Sequence, residues 1–159
     1  KDIKKVGVTV SPTLEAIRDI EERGFDIIQI HGELPGEYLD EIHIPIWRAF
    51  NVDNNAEVAD YLRYANIEAF LFDAHIPGGG VTFDWNILNS IPRDEISKNH
   101  RKFILAGGIT ADNAADAIAH VHPDIIDVSS SVERENGEGK DAEKAEAFVR
   151  ACRNSPSML

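Results

Sequence analysis

The run Phe70-Leu71-Phe72-Asp73-Ala74-His75-Ile76-Pro77-Gly78-Gly79-Gly80 decides how the chain is read. Three apolar residues closed by a carboxylate, then a glycine-rich loop, describe a parallel strand buried on both faces and the turn at its C-terminal end. A helical pattern resumes at Asp84 with Trp85, Leu88 and Ile91. Ligands in parallel α/β proteins collect at the C-terminal ends of strands, which places Asp73 at the chemistry.

Working outward, the same strand-then-helix alternation extends in both directions. Strands are expected over 5–10, 26–31 and 46–52 before the central run at 69–73, and over 102–106 and 124–128 after it. Ser11 and Pro12 read as an N-cap and a first-turn proline, with Leu14, Ile17 and Ile20 on one face and Gly24 at the end. A short helix is expected over 37–42. Asp53 or Asn54 caps the next one, which turns Val58, Leu62 and Ala65 inward. Residues 93–101 read as a polar connection, and Thr110 as the cap of a helix reaching about residue 120. The last helix is expected to point Ala142, Ala145, Phe148, Val149 and Cys152 inward, with a frayed tail from Asn154.

Six βα units are what a parallel sheet requires. An eight-unit barrel takes about 250 residues and seldom fewer than about 200, so the 159 residues here hold six units and lack two. An open doubly wound sheet also accommodates six strands, but no G-x-G-x-x-G follows the first one, and Gly78 to Gly80 has the wrong spacing. The whole chain, 1–159, is expected to form a single partial domain.

The totals narrow the partners. A formal net charge of -12 argues against nucleic acid and anionic membranes, which call for clustered Lys and Arg. A small phosphorylated substrate remains open, because backbone N–H groups hold phosphate locally. No apolar run is long enough for a membrane span or a signal-peptide core, so the expected location is cytoplasmic. The lone Cys152 reads as a packing residue. His120 and His122 read as a helix end rather than a zinc site, and the acidic run around Glu133 to Asp141 as a solvated loop.

Four segments, taken together, carry a resemblance. Gln29-Ile30-His31-Gly32, the stretch from Phe72-Asp73 to Trp85, Leu105-Ala106-Gly107-Gly108-Ile109, and Asp127-Val128-Ser129-Ser130-Ser131-Val132-Glu133 closely resemble successive strand-end motifs of the phosphoribosylanthranilate isomerases of tryptophan biosynthesis. The match runs from about Lys5 to Arg153. It implies a TIM-type parallel (βα)-barrel of which this chain supplies units three to eight. It also implies an Amadori rearrangement of N-(5-phosphoribosyl)anthranilate, with no metal and no organic cofactor. The family's first strand carries a general-base cysteine and its second unit an arginine that contacts substrate; neither strand is in these residues, and Cys152 lies in the wrong element to substitute. Val81 and Ser131 also stand where the family usually has lysine and glycine.

The resemblance assigns roles to the residues that remain. Ring opening needs a proton on the furanose oxygen, and the next step removes one from C2, so an acid and a base face each other across the sugar. Asp73 resembles the acid. Shielding from water and a negatively charged substrate both disfavour ionisation of a carboxyl, which suits that task. Gly107 and Gly108 with Ser129, Ser130 and Ser131 resemble a phosphate site shared by two strand ends. His31 and Asp127 resemble pocket residues, although hydrogen bonding within the fold and bracing of loops are competing roles. Arg48 either points into the barrel toward the substrate carboxylate or is an interior charge paired with Asp73 or Asp127. The open edges of a six-stranded sheet leave room for a missing N-terminal segment or a homodimer. The competing function is a non-catalytic phosphosugar-binding or assembly module; another sugar-phosphate isomerase or epimerase would leave the His31, Asp73 and Thr82 to Trp85 combination unexplained.

Overall fold

The computed structural model describes residues 3–51, 58–73, 88 and 91–155. Six parallel strands follow one another in chain order across a single sheet, β1 Val6–Val10, β2 Ile27–His31, β3 Ile46–Asn51, β4 Ile67–Asp73, β5 Lys102–Ala106 and β6 Ile125–Ile126. Sequential order without a reversal is the arrangement of a barrel wall, and the sheet is an incomplete (βα) TIM-type barrel curled into a half-barrel. Helices α1 Leu14–Glu22, α2 Gly36–Leu39, α3 Val58–Tyr61, α4 Arg93–Lys98, α5 Ala114–Val121 and α6 Ala142–Arg153 connect or follow the strands.

Each strand divides its side chains between two apolar layers, as period-two alternation demands. The helix-facing layer contains Ile28, Ile30, Ile46, Phe50, Ile67, Phe70, Phe72, Phe103 and Leu105. The concave layer is smaller, built from Ala49, Ala69, Leu71, Ile104 and Ala106 with Trp47 and Ile125 against it. In β4, Ile67 and Ala69 fall on opposite faces because the register with β3 shifts: Ile46 pairs with Ile67 and Trp47 with Ala69, passing over Glu68. Glu68 instead accepts an ion pair from Lys102 at 2.6 Å.

The aromatic side chains of the helix-facing layer pack in series, with Phe50 6.1 Å from Phe70 and 6.0 Å from Phe72, and Phe72 5.4 Å from Phe103. Arg48 belongs to this layer, since it lies between the concave-facing Trp47 and Ala49. It is 3% exposed. Its guanidinium sits 4.8 Å from the Phe50 ring and 5.1 Å from the Tyr61 ring, and it donates to the carbonyls of Ile30, Gly32 and Ala49 at 2.9, 2.6 and 2.9 Å. The expectation that Arg48 points into the barrel is therefore corrected: the residue ties the end of β2 to β3 from the outside. Gly32, which supplies one of those carbonyls, has φ +68, and a Cβ there would collide with the Ser11 hydroxyl.

Several local expectations also change. Thr13, not Ser11, caps α1, accepting from the Ala16 N–H at 3.2 Å; Ser11 has φ +45 and its hydroxyl accepts from the Glu33 N–H. Residues 93–98 form α4 rather than a connection. Only Ile96 gives that segment an apolar contact, so hydrophobic periodicity is silent there, while Asp94 and Glu95 in its first turn and Lys98 in its last suit the helix dipole. Helix α5 begins at Ala114, after Asn113, and not at Thr110, and it closes on His122 in the left-handed conformation. Strand β6 is two residues long rather than five. Ala65, Ala142 and Val149 are exposed, and Ser155 is buried rather than frayed. The Asp53 and Asn54 caps, the glycine loop at 78–80, His75, Val81 and the start of a helix at Asp84 lie outside the described residues; Leu88 and Ile91 are buried.

Replacing Arg48 tests its place in the fold. Arg48→Ala strands three carbonyl oxygens and is expected to cost about 2–4 kcal/mol in urea denaturation. Arg48→Lys keeps the charge but loses the planar fork and the ring contacts, and is expected to recover only part of that. A loss below about 0.5 kcal/mol for Arg48→Ala, the range of an unremarkable surface substitution, would show that these contacts do not hold the strands.

Candidate active site

The C-terminal strand ends surround a cavity of about 540 Å³. Parity puts the relevant side chains there. Gln29 and His31 share the concave face of β2, because Gln29 pairs with Trp47. Asp73 pairs with Ala106 at the ends of β4 and β5. Asp127 follows β6 two residues after Ile125, and its N–H still bonds the Leu105 carbonyl at 2.9 Å.

His31, Asp73, Gly107, Gly108, Asp127, Ser129, Ser130 and Ser131 all line this cavity. The structure thus gathers eight residues singled out in the sequence from four separate strand ends. Arg48 is not among its lining residues; it borders the neighbouring hollow of about 860 Å³, which His31 also touches.

The lining combines two kinds of chemistry. Gln29 donates to Asp127 Oδ2 at 3.2 Å, and its amide nitrogen lies 3.0 Å from His31 Nε2. Burial pushes the His31 imidazolium toward losing its proton, the Asp73 and Asp127 carboxylates oppose that, and the Arg48 charge adds to it; the net direction is downward. After β5, Gly107 and Gly108 turn the chain at φ +83 and +64. A Cβ on Gly108 would meet open space, so the backbone conformation rather than crowding favours glycine there. The N–H groups of Gly108 and Ser129 have no backbone acceptor among the described residues. The Ser131 hydroxyl is buried with no hydrogen-bond partner.

Two contributors were missed by sequence reading. Gln29 was quoted within a motif without a role, although its i, i+2 relation to His31 on a strand places both on one face. Lys140, within the acidic loop, donates to the carbonyl and hydroxyl of Ser129 at 2.9 Å each and to Glu133 at 2.8 Å; no local pattern links it to the serines. Cys152 packs in the helix layer, where burial raises its thiol. Among the described residues no cluster of three or more His, Cys, Asp or Glu could hold a metal ion, and no helix is long and apolar enough to cross a membrane.

The family model for N-(5'-phosphoribosyl)anthranilate (PRA) isomerase matches residues 1–151. The chain belongs to the phosphoribosylanthranilate isomerase family. It is 38% identical over 156 residues to the N-(5'-phosphoribosyl)anthranilate isomerase of Streptococcus mutans, covering 95% of this chain and 72% of that one. The crystal structure of the phosphoribosylanthranilate isomerase of Thermotoga maritima superimposes with a TM-score of 0.76 at 30% identity, covering 95% of this chain and 73% of that one. A crystal structure of phosphoribosylanthranilate isomerase in complex with reduced 1-(o-carboxyphenylamino)-1-deoxyribulose 5-phosphate matches with a TM-score of 0.72 at 28% identity over 95% of this chain and 72% of that one. The family is one of enzymes, and isomerase chemistry on a TIM-type scaffold is the frame in which these strand ends belong.

The direction of the His31 shift has a consequence for stability. A histidine held below its ordinary value contributes stability that is fully present above about 6.5, the unfolded value, and is lost as pH falls toward the folded one. Chemical denaturation between about pH 7.5 and pH 5 is therefore expected to show a smaller decline for His31→Gln than for the unaltered chain. Parallel declines would show that His31 is not held neutral by the fold.

Proposed function

We propose that this chain carries the acid and phosphate-binding machinery for the Amadori rearrangement of N-(5-phosphoribosyl)anthranilate to 1-(2-carboxyphenylamino)-1-deoxyribulose 5-phosphate. The observation that carries this reading is that one cavity is lined both by Asp73, His31 and Asp127 and by the Gly107-Gly108 turn with the serine run. A sugar phosphate calls for both, since it carries a reacting carbon and a dianion several bonds away.

Asp73 gives its proton to the furanose ring oxygen while the lone pair of the substrate nitrogen expels that oxygen from C1, leaving an open-chain iminium. A base then takes the C2 proton, and the C–H electrons neutralise the nitrogen to give an enol amine, which tautomerises to the ketone. The phosphate is held by backbone N–H groups of Gly108 and Ser129 and by the serine hydroxyls. The Ser131 hydroxyl, buried and without a partner among the described residues, supports this assignment, since an orphaned buried hydroxyl costs about 1–3 kcal/mol and a rotation of the side chain toward the cavity would supply a partner in a bound phosphate. His31 and Asp127 line the sugar. Arg48 donates to backbone carbonyls, and its charge opposes protonation of His31.

No base stands opposite Asp73 among the assigned residues, and Cys152 sits in the helix layer. The 159 residues alone are therefore expected to bind the product phosphate and turn over slowly, by about 10²–10⁴-fold relative to an enzyme with its base, followed by loss of substrate fluorescence. Near-normal turnover would refute this. In a complete barrel, Asp73→Asn is expected to remove most activity and leave phosphate binding in place.

We further infer that the free edge of β1 takes up two more βα units. Val8 and Val10, which pair with Gln29 and His31 and so share their concave face, are 63% and 73% exposed. Supplying those two units as a separate polypeptide is expected to protect the β1 amides from hydrogen exchange and to raise turnover. Light scattering that instead shows this chain dimerising, with the same amides protected, would assign the edge to a second copy.

A further inference from the structure

Gln29 joins the two carboxylate-side residues of the cavity to one another. It is 4% exposed, and its amide nitrogen is within hydrogen-bond distance of both Asp127 Oδ2, at 3.2 Å, and His31 Nε2, at 3.0 Å. An amide NH₂ has two hydrogens. With one directed at the carboxylate, the other meets the imidazole nitrogen, which must then present a lone pair. Turning the amide over would set its oxygen against the carboxylate, acceptor against acceptor, and would be satisfied only if Asp127 and His31 Nε2 each carried a proton.

We propose that Asp127, acting through Gln29, locks His31 as the neutral tautomer protonated on Nδ1, so that a bound ligand meets an Nδ1–H donor instead of an imidazolium. The contact to Gln29 occupies Nε2 and not Nδ1, and His31 lines the cavity. Gln29 is a positioning residue in this arrangement: it touches no reacting atom and acts by fixing which ring nitrogen carries the proton.

The groups that face His31 act in both directions. Asp73 from β4 and Asp127 after β6 favour a charged ring, Arg48 from β3 opposes it, and β1 offers Val10 opposite His31. Burial outweighs the carboxylates and pushes the ring toward losing its proton, and in the neutral ring the hydrogen bonds set the tautomer. A neutral donor polarises a ligand oxygen without adding a positive charge beside Asp73. The proposal rests on the isomerase reading only for the identity of the ligand.

The test is NMR of the His31 ring nitrogens in protein labelled at histidine, at neutral pH and without substrate. The unaltered chain is expected to show a protonated Nδ1 and an unprotonated Nε2, with the Nδ1–H form in excess by about tenfold, the ratio that one net hydrogen bond of ordinary strength sets. Gln29→Met, similar in volume and without a donor, is expected to move the ring toward the Nε2–H form that free histidine favours. Asp127→Asn, which frees the amide to rotate, is expected to bring the two forms close to equal. A predominantly Nε2–H ring or an imidazolium in the unaltered chain overturns the proposal, as does a tautomer unmoved by Asp127→Asn. Should Gln29→Met not fold, the unaltered spectrum and the Asp127 variant still decide. Absence of isomerase activity with the expected ring state would refute the functional reading and leave this one standing.

Discussion

Strand register is the constraint on which the rest depends. Side chains alternate with a period of two, so a slip of one residue in any pairing would carry a whole strand's side chains to the opposite face. In β2 that would bury Ile28 and Ile30 against the concave layer and turn Gln29 and His31 outward among helices. The register is held from the helix side, where Phe50, Phe70, Phe72 and Phe103 interlock and Arg48 spans the ends of β2 and β3. The concave side contributes mainly small residues, Ala49, Ala69 and Ala106, which leave room at the strand ends. Packing on one face thus sets the geometry of chemistry on the other.

This division explains what was legible in the sequence. The central run from Phe70 to Asp73 is buried on both faces, and it reads correctly because continuous apolar residues closed by a carboxylate have few other interpretations. Strand β5 is found at its expected bounds, 102–106, for the same reason. Helix α4 escaped because a helix of six residues with one inward side chain, Ile96, gives no periodic signal. Strand β6 was overextended since Val128 resumes the apolar pattern after Asp127, yet only Ile125 and Ile126 pair with β5. The inward face of α6 was drawn too wide at Ala142 and Val149 because the helix has a single neighbouring layer, and Phe148 alone among its residues is fully buried.

The candidate site divides along a similar line. Residues at strand ends were found because topology gathers them whatever their neighbours are: His31, Asp73, Asp127, the glycine pair and the serines come from four strands and line one cavity. What could not be read was which charged residue joins them. Arg48 has the residue type expected of an anion contact, but its parity turns it outward, and parity at a bulged pairing such as β3 with β4 is not fixed by composition. Lys140 has no pattern at all, and it arrives beside Ser129 only because the 133–141 loop folds back, with the Arg134 N–H bonded to the Gly139 carbonyl at 3.1 Å.

A chain of net charge -12 proposed to hold a phosphate dianion sets an electrostatic problem, and the placement of charge within the cavity resolves it. Long-range repulsion between exposed charges fades over roughly 8–10 Å at physiological ionic strength, so the net charge governs solubility and encounter more than the bound state. Within that distance the sequence of groups matters. Asp73, Asp127 and His31 line the cavity together with the serine run; the N–H groups of Gly108 and Ser129 have no backbone acceptor among the described residues, and Lys140 lies behind Ser129. The proposed ligand carries a carboxylate on its anthranilate ring as well as the phosphate, and the phosphate dianion, the larger charge, is favoured beside the serine N–H groups over a place beside Asp127. Burial that pushes the His31 ring toward losing its proton suits that arrangement: an imidazolium there would offer the phosphate a second attractive group and weaken the distinction.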